Sequence, residues 1–181
     1  MIFVFTGDGK GKTTSAIGQA IRAIGQNKKA LIVQFIKSSK WPTGEEKIIK
    51  ELSPRFKIIK GGKGFVGILG DKLPRREHKD AAQKTLSLAK KAILSKRFGL
   101  VILDEIIVAI DLKLVSLKEV LGILKKVPEE IDVILTGRFS PKELIAFADL
   151  VTDFKEVKHY FARDKIAHYQ KKVIAKKGRE Y

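Results

Sequence analysis

Short apolar runs alternate with longer stretches of helical spacing along most of the chain. Residues 2–5, 30–36, 56–59, 100–103 and 131–135 are near-continuous runs rich in Ile, Val, Leu and Phe. Runs of that length, bounded by turn residues, read as strands covered on both faces. Between them the apolar spacing changes. From about Lys12 onward, Ile17, Ala20, Ile21 and Ile24 fall on one helical face, and Ala82, Leu86, Ala89 and Ile93 do so within 77–96. Shorter helices are expected over 45–52, near 116–125 and over 141–148, the last with Pro141 in its first turn and Ser140 as its cap. Strand–helix alternation of this kind predicts an α/β fold, a mostly parallel sheet with helices on both faces. With 181 residues, one domain spanning 1–181 is the natural expectation, large enough for a substantial core.

The first strand runs straight into Thr6-Gly7-Asp8-Gly9-Lys10-Gly11-Lys12-Thr13-Thr14. A strand, a glycine-rich turn ending in Gly-Lys-Thr and a helix form a phosphate cradle of the P-loop NTPase kind. The glycines let several backbone N–H groups point at one anion, Lys12 reaches the outer phosphates, and the Thr13 hydroxyl sits on a magnesium ion. Thr6 occupies the position where the usual pattern has its first glycine, but the Gly-Lys-Thr core is intact. Residues 7–14 are therefore the expected ATP-binding segment. Lys10 lies within reach of any phosphate bound there.

Asp104 and Glu105 stand at the carboxyl end of an apolar strand, where ligands of open α/β sheets bind. An acidic residue at that place can hold the metal of a phosphate-loop protein, directly or through water. Thr13, Asp104 and Glu105 are the candidate metal ligands, and the pattern does not say which carboxylate touches the ion; the pair could instead cap the following segment or bridge to a lysine. Arg138 follows the strand 131–135 and is either a bidentate clamp on a phosphate oxygen or a surface arginine at a loop corner. Phe65, among glycines at 61, 62, 64, 67 and 70, is either an aromatic on a loop able to fold over a planar ligand or a core plug in a turn. Trp41 reads as a partly buried aromatic, and Arg22 either faces the surface or approaches the nucleotide from a partner subunit. His78, His159 and His168 lack metal-ligand spacing and read as structural or exposed.

Composition narrows the classes. No apolar run approaches the roughly 18 residues needed to cross a bilayer. The chain opens on a strand that leads into the phosphate loop, so no removable signal is expected and the location expected is cytoplasmic. Absence of cysteine removes disulfides, thiolate metal sites and cysteine nucleophiles. The net charge of +17 favours anionic partners. Residues 155–181 are its richest stretch, with nine Lys/Arg against three Asp/Glu, but lack the arginine-rich, aromatic-interleaved character of a nucleic-acid platform.

Taken in order, the motifs resemble the ATP:corrinoid adenosyltransferases of the phosphate-loop class. The resemblance runs through TGDGKGKTT at 6–14, IVQFIK at 32–37, TGE at 43–45 and GKGF at 62–65. It continues with VILDE at 101–105, VILTGR at 133–138, ELIAFADLVTD at 143–153, VKH at 157–159 and GREY at 178–181. It implies transfer of the 5′-deoxyadenosyl group of ATP to the cobalt of a reduced corrinoid, with Mg2+ and release of tripolyphosphate. On that reading Lys12 and Glu105 are catalytic and Phe65 faces the corrinoid. The resemblance also implies a homodimer, and a reductase partner would supply the reduced corrinoid. Three departures stand out. Gly67 occupies the place of a tryptophan frequent in relatives. The chain starts on the first strand, without the extension some relatives carry, so a lid over ATP is expected from elsewhere. Tyr160 stands where proline is frequent after KH. Two alternatives remain: an ATPase of the same fold with Glu105 orienting water, and a nucleotide-dependent nucleic-acid-binding module.

Overall fold

The computed structural model describes residues 1–39, 42–68 and 70–158. Six strands form one fully parallel sheet: β1 (Ile2–Thr6), β2 (Ala30–Gln34), β3 (Phe56–Lys60), β4 (Leu100–Asp104), β5 (Asp132–Thr136) and β6 (Leu150–Asp153), in the spatial order β3-β2-β4-β5-β1-β6. Among the described residues six helices accompany them: α1 (Lys12–Gly25), α2 (Gly44–Glu51), α3 (Arg75–Leu94), α4 (Ile106–Asp111), α5 (Leu117–Leu124) and α6 (Lys142–Phe147). The expected α/β architecture is therefore the observed one. No described helix is long and apolar enough to cross a membrane.

The strand runs look continuous in sequence because both faces of the sheet are covered. Within them the residues still alternate. Leu31, Val33, Val101, Leu103, Val133 and Leu135 face one core with α3, α4, α5 and α6. Ala30, Ile32, Leu100, Ile102 and Ile134 face the other, closed by Ala16, Ala20 and Ile24 of α1 and Ile49 of α2.

Register brings chemistry to one edge. Lys60 lies opposite Gln34, Gln34 opposite Asp104, and Thr6 opposite Asp153. Thr136 lies opposite Phe5 and ends β5. All six strands thus switch from apolar to polar at their carboxyl ends, within one residue of a common level. β1 and β4 are not neighbours; β5 separates the strand that feeds the glycine loop from the strand that carries Asp104.

Several local expectations are corrected. Strand β2 stops at Gln34, two residues earlier than its apolar run, and α3 begins at Arg75 rather than 77. Ile21 is half-exposed; the buried face of α1 is Ala16, Ala20 and Ile24. Pro141, not Ser140, occupies the cap position of α6, because the helix starts one residue later at Lys142. Ser140 instead donates its N–H to Thr6 Oγ1 at 3.3 Å. Helix α4 and strand β6 are additional elements. Trp41, His159, His168 and the segment 178–181 lie outside the described residues.

Candidate functional site

The loop between β1 and α1 is built on the end of β6 and the residue that follows it. Phe154 O accepts from Gly9 N at 2.6 Å, and Phe154 N donates to Thr6 O at 2.8 Å. The Phe154 ring packs on Phe5 with 5.8 Å between centroids. Gly7 has φ +100°, and a Cβ on it would sit 2.3 Å from Asp153 Oδ1 and 2.5 Å from Phe154 O. Glycine is therefore required there by backbone conformation and by space alike. Gly11, at φ +118°, turns the chain into α1, so Lys12 is the first helical residue. Its side chain doubles back and donates to Gly7 O at 2.6 Å and Gly9 O at 2.7 Å. Burial first, then the charge of Arg138, holds the Lys12 ammonium below its ordinary pKa. Asp8, Lys10 and Thr14 are exposed around the loop.

Thr13 joins the loop to the distant β4. Its hydroxyl donates to Asp104 Oδ1 at 2.7 Å. Thr136, at the end of the intervening β5, donates to the same oxygen at 2.8 Å and accepts from Glu105 N at 3.0 Å. Gln34 Nε2 donates to Asp104 Oδ2 at 3.0 Å, and Lys37 Nζ lies 3.8 Å from that oxygen. A fully buried carboxylate is thereby given three hydrogen bonds and a nearby cation, the condition for keeping such a group inside a fold. Burial opposes the charge of Lys37, but Asp104 and Glu45, the latter at 3.1 Å, prevail and raise its pKa.

Glu105 is placed differently. It adopts φ +61° as the cap residue of α4, an uncommon conformation for a non-glycine residue. Burial, and secondly the adjacent Asp104, pushes its carboxyl up to about 6, against the pull of Lys37, Lys12 and Arg138. Arg138 is exposed just past β5 and points an N–H at Asp8 O across 3.4 Å. The loop, the acidic pair and Arg138 therefore come together.

Phe65 is carried on the stretch after β3, which is pinned to the same sheet edge. Gly61 N donates to Gln34 O at 3.0 Å and Gly64 N to Ile36 O at 2.9 Å. Phe65 is 54% exposed and so is no core plug; its neighbour Val66 is the residue packed against the core.

A sequence model of the family described as ATP:corrinoid adenosyltransferase BtuR/CobO/CobP matches residues 1–181. The chain belongs to this family. A corrinoid adenosyltransferase of Escherichia coli K12 is 35% identical over 161 residues, 89% of this chain and 79% of that protein. One from Salmonella typhimurium is 33% identical with the same coverage, and one from a Sinorhizobium species is 36% identical over 89% of this chain and 74% of its own. Among solved structures, a KaiC-like protein of Pyrococcus horikoshii shares the fold, with a TM-score of 0.53 at 20% identity over 84% of this chain and 72% of that one.

In this member of the adenosyltransferase family, sequence reasoning passed over four residues of the site: Gln34, Lys37, Thr136 and Phe154. A usable signal existed for three of them. Gln34, Lys37 and Thr136 are polar residues terminating or following apolar runs at the same sheet edge as Asp104. Phe154 gave none, because its part is played mainly by its backbone.

Proposed function

We propose that this chain transfers the 5′-deoxyadenosyl group of ATP to the cobalt of a reduced corrinoid and releases tripolyphosphate. The observation that carries the reading, beside family membership, is the hydrogen bond from Thr13 of the glycine loop to Asp104 of β4. It sets a phosphate cradle and a buried acid side by side at the carboxyl edge of the sheet.

The donor set fits Mg2+. Thr13 Oγ1, Asp104 and Glu105 offer hard oxygen ligands, and Glu105, whose carboxyl is pushed up by burial and by the adjacent Asp104, would be relieved by a cation beside it. Magnesium is ordinarily held by one or two carboxylates together with substrate phosphates, which this arrangement supports. When bound, the ion supplies neutralisation of the triphosphate. The glycine-loop N–H groups bind the same anion, and Lys12 would exchange its bonds to Gly7 and Gly9 for phosphate oxygens. Arg138, beside the loop, is suited to a further oxygen.

In the transfer, a cobalt lone pair forms the bond to C5′ while the C5′–O bond breaks. Its electron pair leaves with tripolyphosphate, and cobalt is formally oxidised by two electrons. The nucleophile carries no proton, so the chain needs no general base. Its work is to align C5′ with cobalt and to stabilise charge on the leaving triphosphate. Phe65, exposed on a loop at the same edge, suits one face of a corrin ring. A second copy of the chain, a reductase that supplies the reduced corrinoid and a cytoplasmic setting belong to this reading.

The test is product identification with purified chain, ATP, Mg2+ and a chemically reduced corrinoid under anaerobic conditions. Tripolyphosphate and an alkylated corrinoid, formed only together, are expected. ADP and inorganic phosphate released without any corrinoid would replace this reading with a hydrolase.

A further inference from the structure

The stretch that bears Phe65 is tied down at its far end by a carboxylate outside the phosphate site. Asp71 Oδ2 accepts from Gly67 N at 2.9 Å, and Asp71 Oδ1 accepts from Leu73 N at 3.1 Å. The same carboxylate meets His78 Nε2, in the first turn of α3, at 2.9 Å. The two side chains are only 8% and 2% exposed. Gly67 itself, at φ +70°, has open space where a Cβ would be, so packing does not hold it. Around this clasp three apolar side chains point outward: Phe65, Ile68 and Leu73 are all exposed. A partly buried carboxylate spent on two loop N–H groups and one imidazole, below a cluster of exposed apolar groups, is an organising device for that cluster.

We infer that Asp71 is a positioning residue for the acceptor substrate: clasped to His78, it fixes the turn that presents Phe65 and Ile68 to the corrinoid. The inference rests on the function proposed above. A glycine-rich loop left free would have to be ordered when the corrinoid binds, and that cost lowers affinity. The Asp71 bonds order it beforehand. Because, among the described residues, no hydrogen bond joins the phosphate loop to Asp71 or His78, the effect belongs to corrinoid binding and not to ATP.

The experiment uses the full chain with Asp71→Ala, Asp71→Asn and His78→Gln, each also combined with Phe65→Ala. Steady-state KM is measured for each substrate, and the unfolding temperature for each variant. Asp71→Ala is expected to raise the corrinoid KM about tenfold, leave the ATP KM within about twofold, and add little once Phe65 is already alanine. Asp71→Asn, which keeps an oxygen acceptor for one loop N–H, should recover part of the loss. Two KM values rising together, an unchanged corrinoid KM, or effects that add across the Phe65→Ala background would overturn the positioning role alone. A wild-type chain that folds, binds ATP and forms no alkylated corrinoid would overturn the functional reading and this inference with it.

Discussion

Glu105 and Asp104 are adjacent acids with opposite circumstances. Asp104 is fully buried and receives hydrogen bonds from Thr13, Thr136 and Gln34. Glu105 has a positive φ and a carboxyl pushed up to about 6, chiefly by burial. Sequence made both visible as an acidic pair after an apolar strand. Their difference was not visible, because it depends on Thr136 arriving from β5 and Gln34 from β2. The raised value has a consequence for stability with a definite sign. A carboxyl whose folded pKa lies above its unfolded value contributes its stability below the unfolded pKa, and loses it as pH rises through the folded pKa. In chemical denaturation without nucleotide or metal, wild type should lose about 2 kcal/mol relative to Glu105→Gln between about pH 4 and pH 7. Parallel pH profiles for the two proteins would remove the charge strain assigned to this side chain.

Elements were legible to the extent that they are long and periodic. Strands β1 to β5 and helices α1 and α3 follow directly from their apolar spacing. Helix α4 did not, because six residues, IIVAID, are too few to show a period when five of them are apolar and at least partly buried. Strand β6 was hidden for the reverse reason: it is a four-residue edge strand with every side chain exposed, so it carries no burial pattern. Yet β6 leads directly into Phe154, whose backbone is what the glycine loop is laid against. That contact makes Gly7→Ala a test of the element. Added Cβ volume 2.3 Å from Asp153 Oδ1, at φ +100°, should cost about 2 kcal/mol or more of stability, read by denaturation, and weaken ATP binding, read by calorimetry. Gly18→Ala is the matched control, since Gly18 lies within α1 with open space around it and gains helix propensity. It should raise stability by about 0.5–1 kcal/mol and leave ATP binding unchanged. If both variants behaved alike, the loop would not depend on its seat beside β6.

At the scale of the whole molecule, the charge of +17 and the charges of the site pull apart. Lys12, Lys37 and Arg138 meet Asp104, Glu105, Glu45 and Asp8 near the sheet edge, so the site is locally balanced while the surface is strongly basic. A balanced site retains MgATP through short contacts, which salt screens little. A basic surface draws the anion in from a distance, which salt screens within a Debye length of about 10 Å at 0.1 M. Association and dissociation should therefore respond differently to ionic strength. Raising salt from about 50 mM to about 300 mM should slow ATP association several-fold and leave dissociation nearly constant, as read by stopped-flow with a fluorescent ATP analogue. The same measurement bears on the nucleic-acid alternative. If the excess lysine existed to hold a polyanion, binding of a short oligonucleotide would fall steeply and linearly in log salt, and ATP would shift that line. Weak oligonucleotide binding that ATP does not shift would leave the excess charge with steering alone. A dissociation rate that climbed with salt as steeply as association fell would instead mean that surface lysines, rather than the loop and the Asp104 cluster, hold the nucleotide.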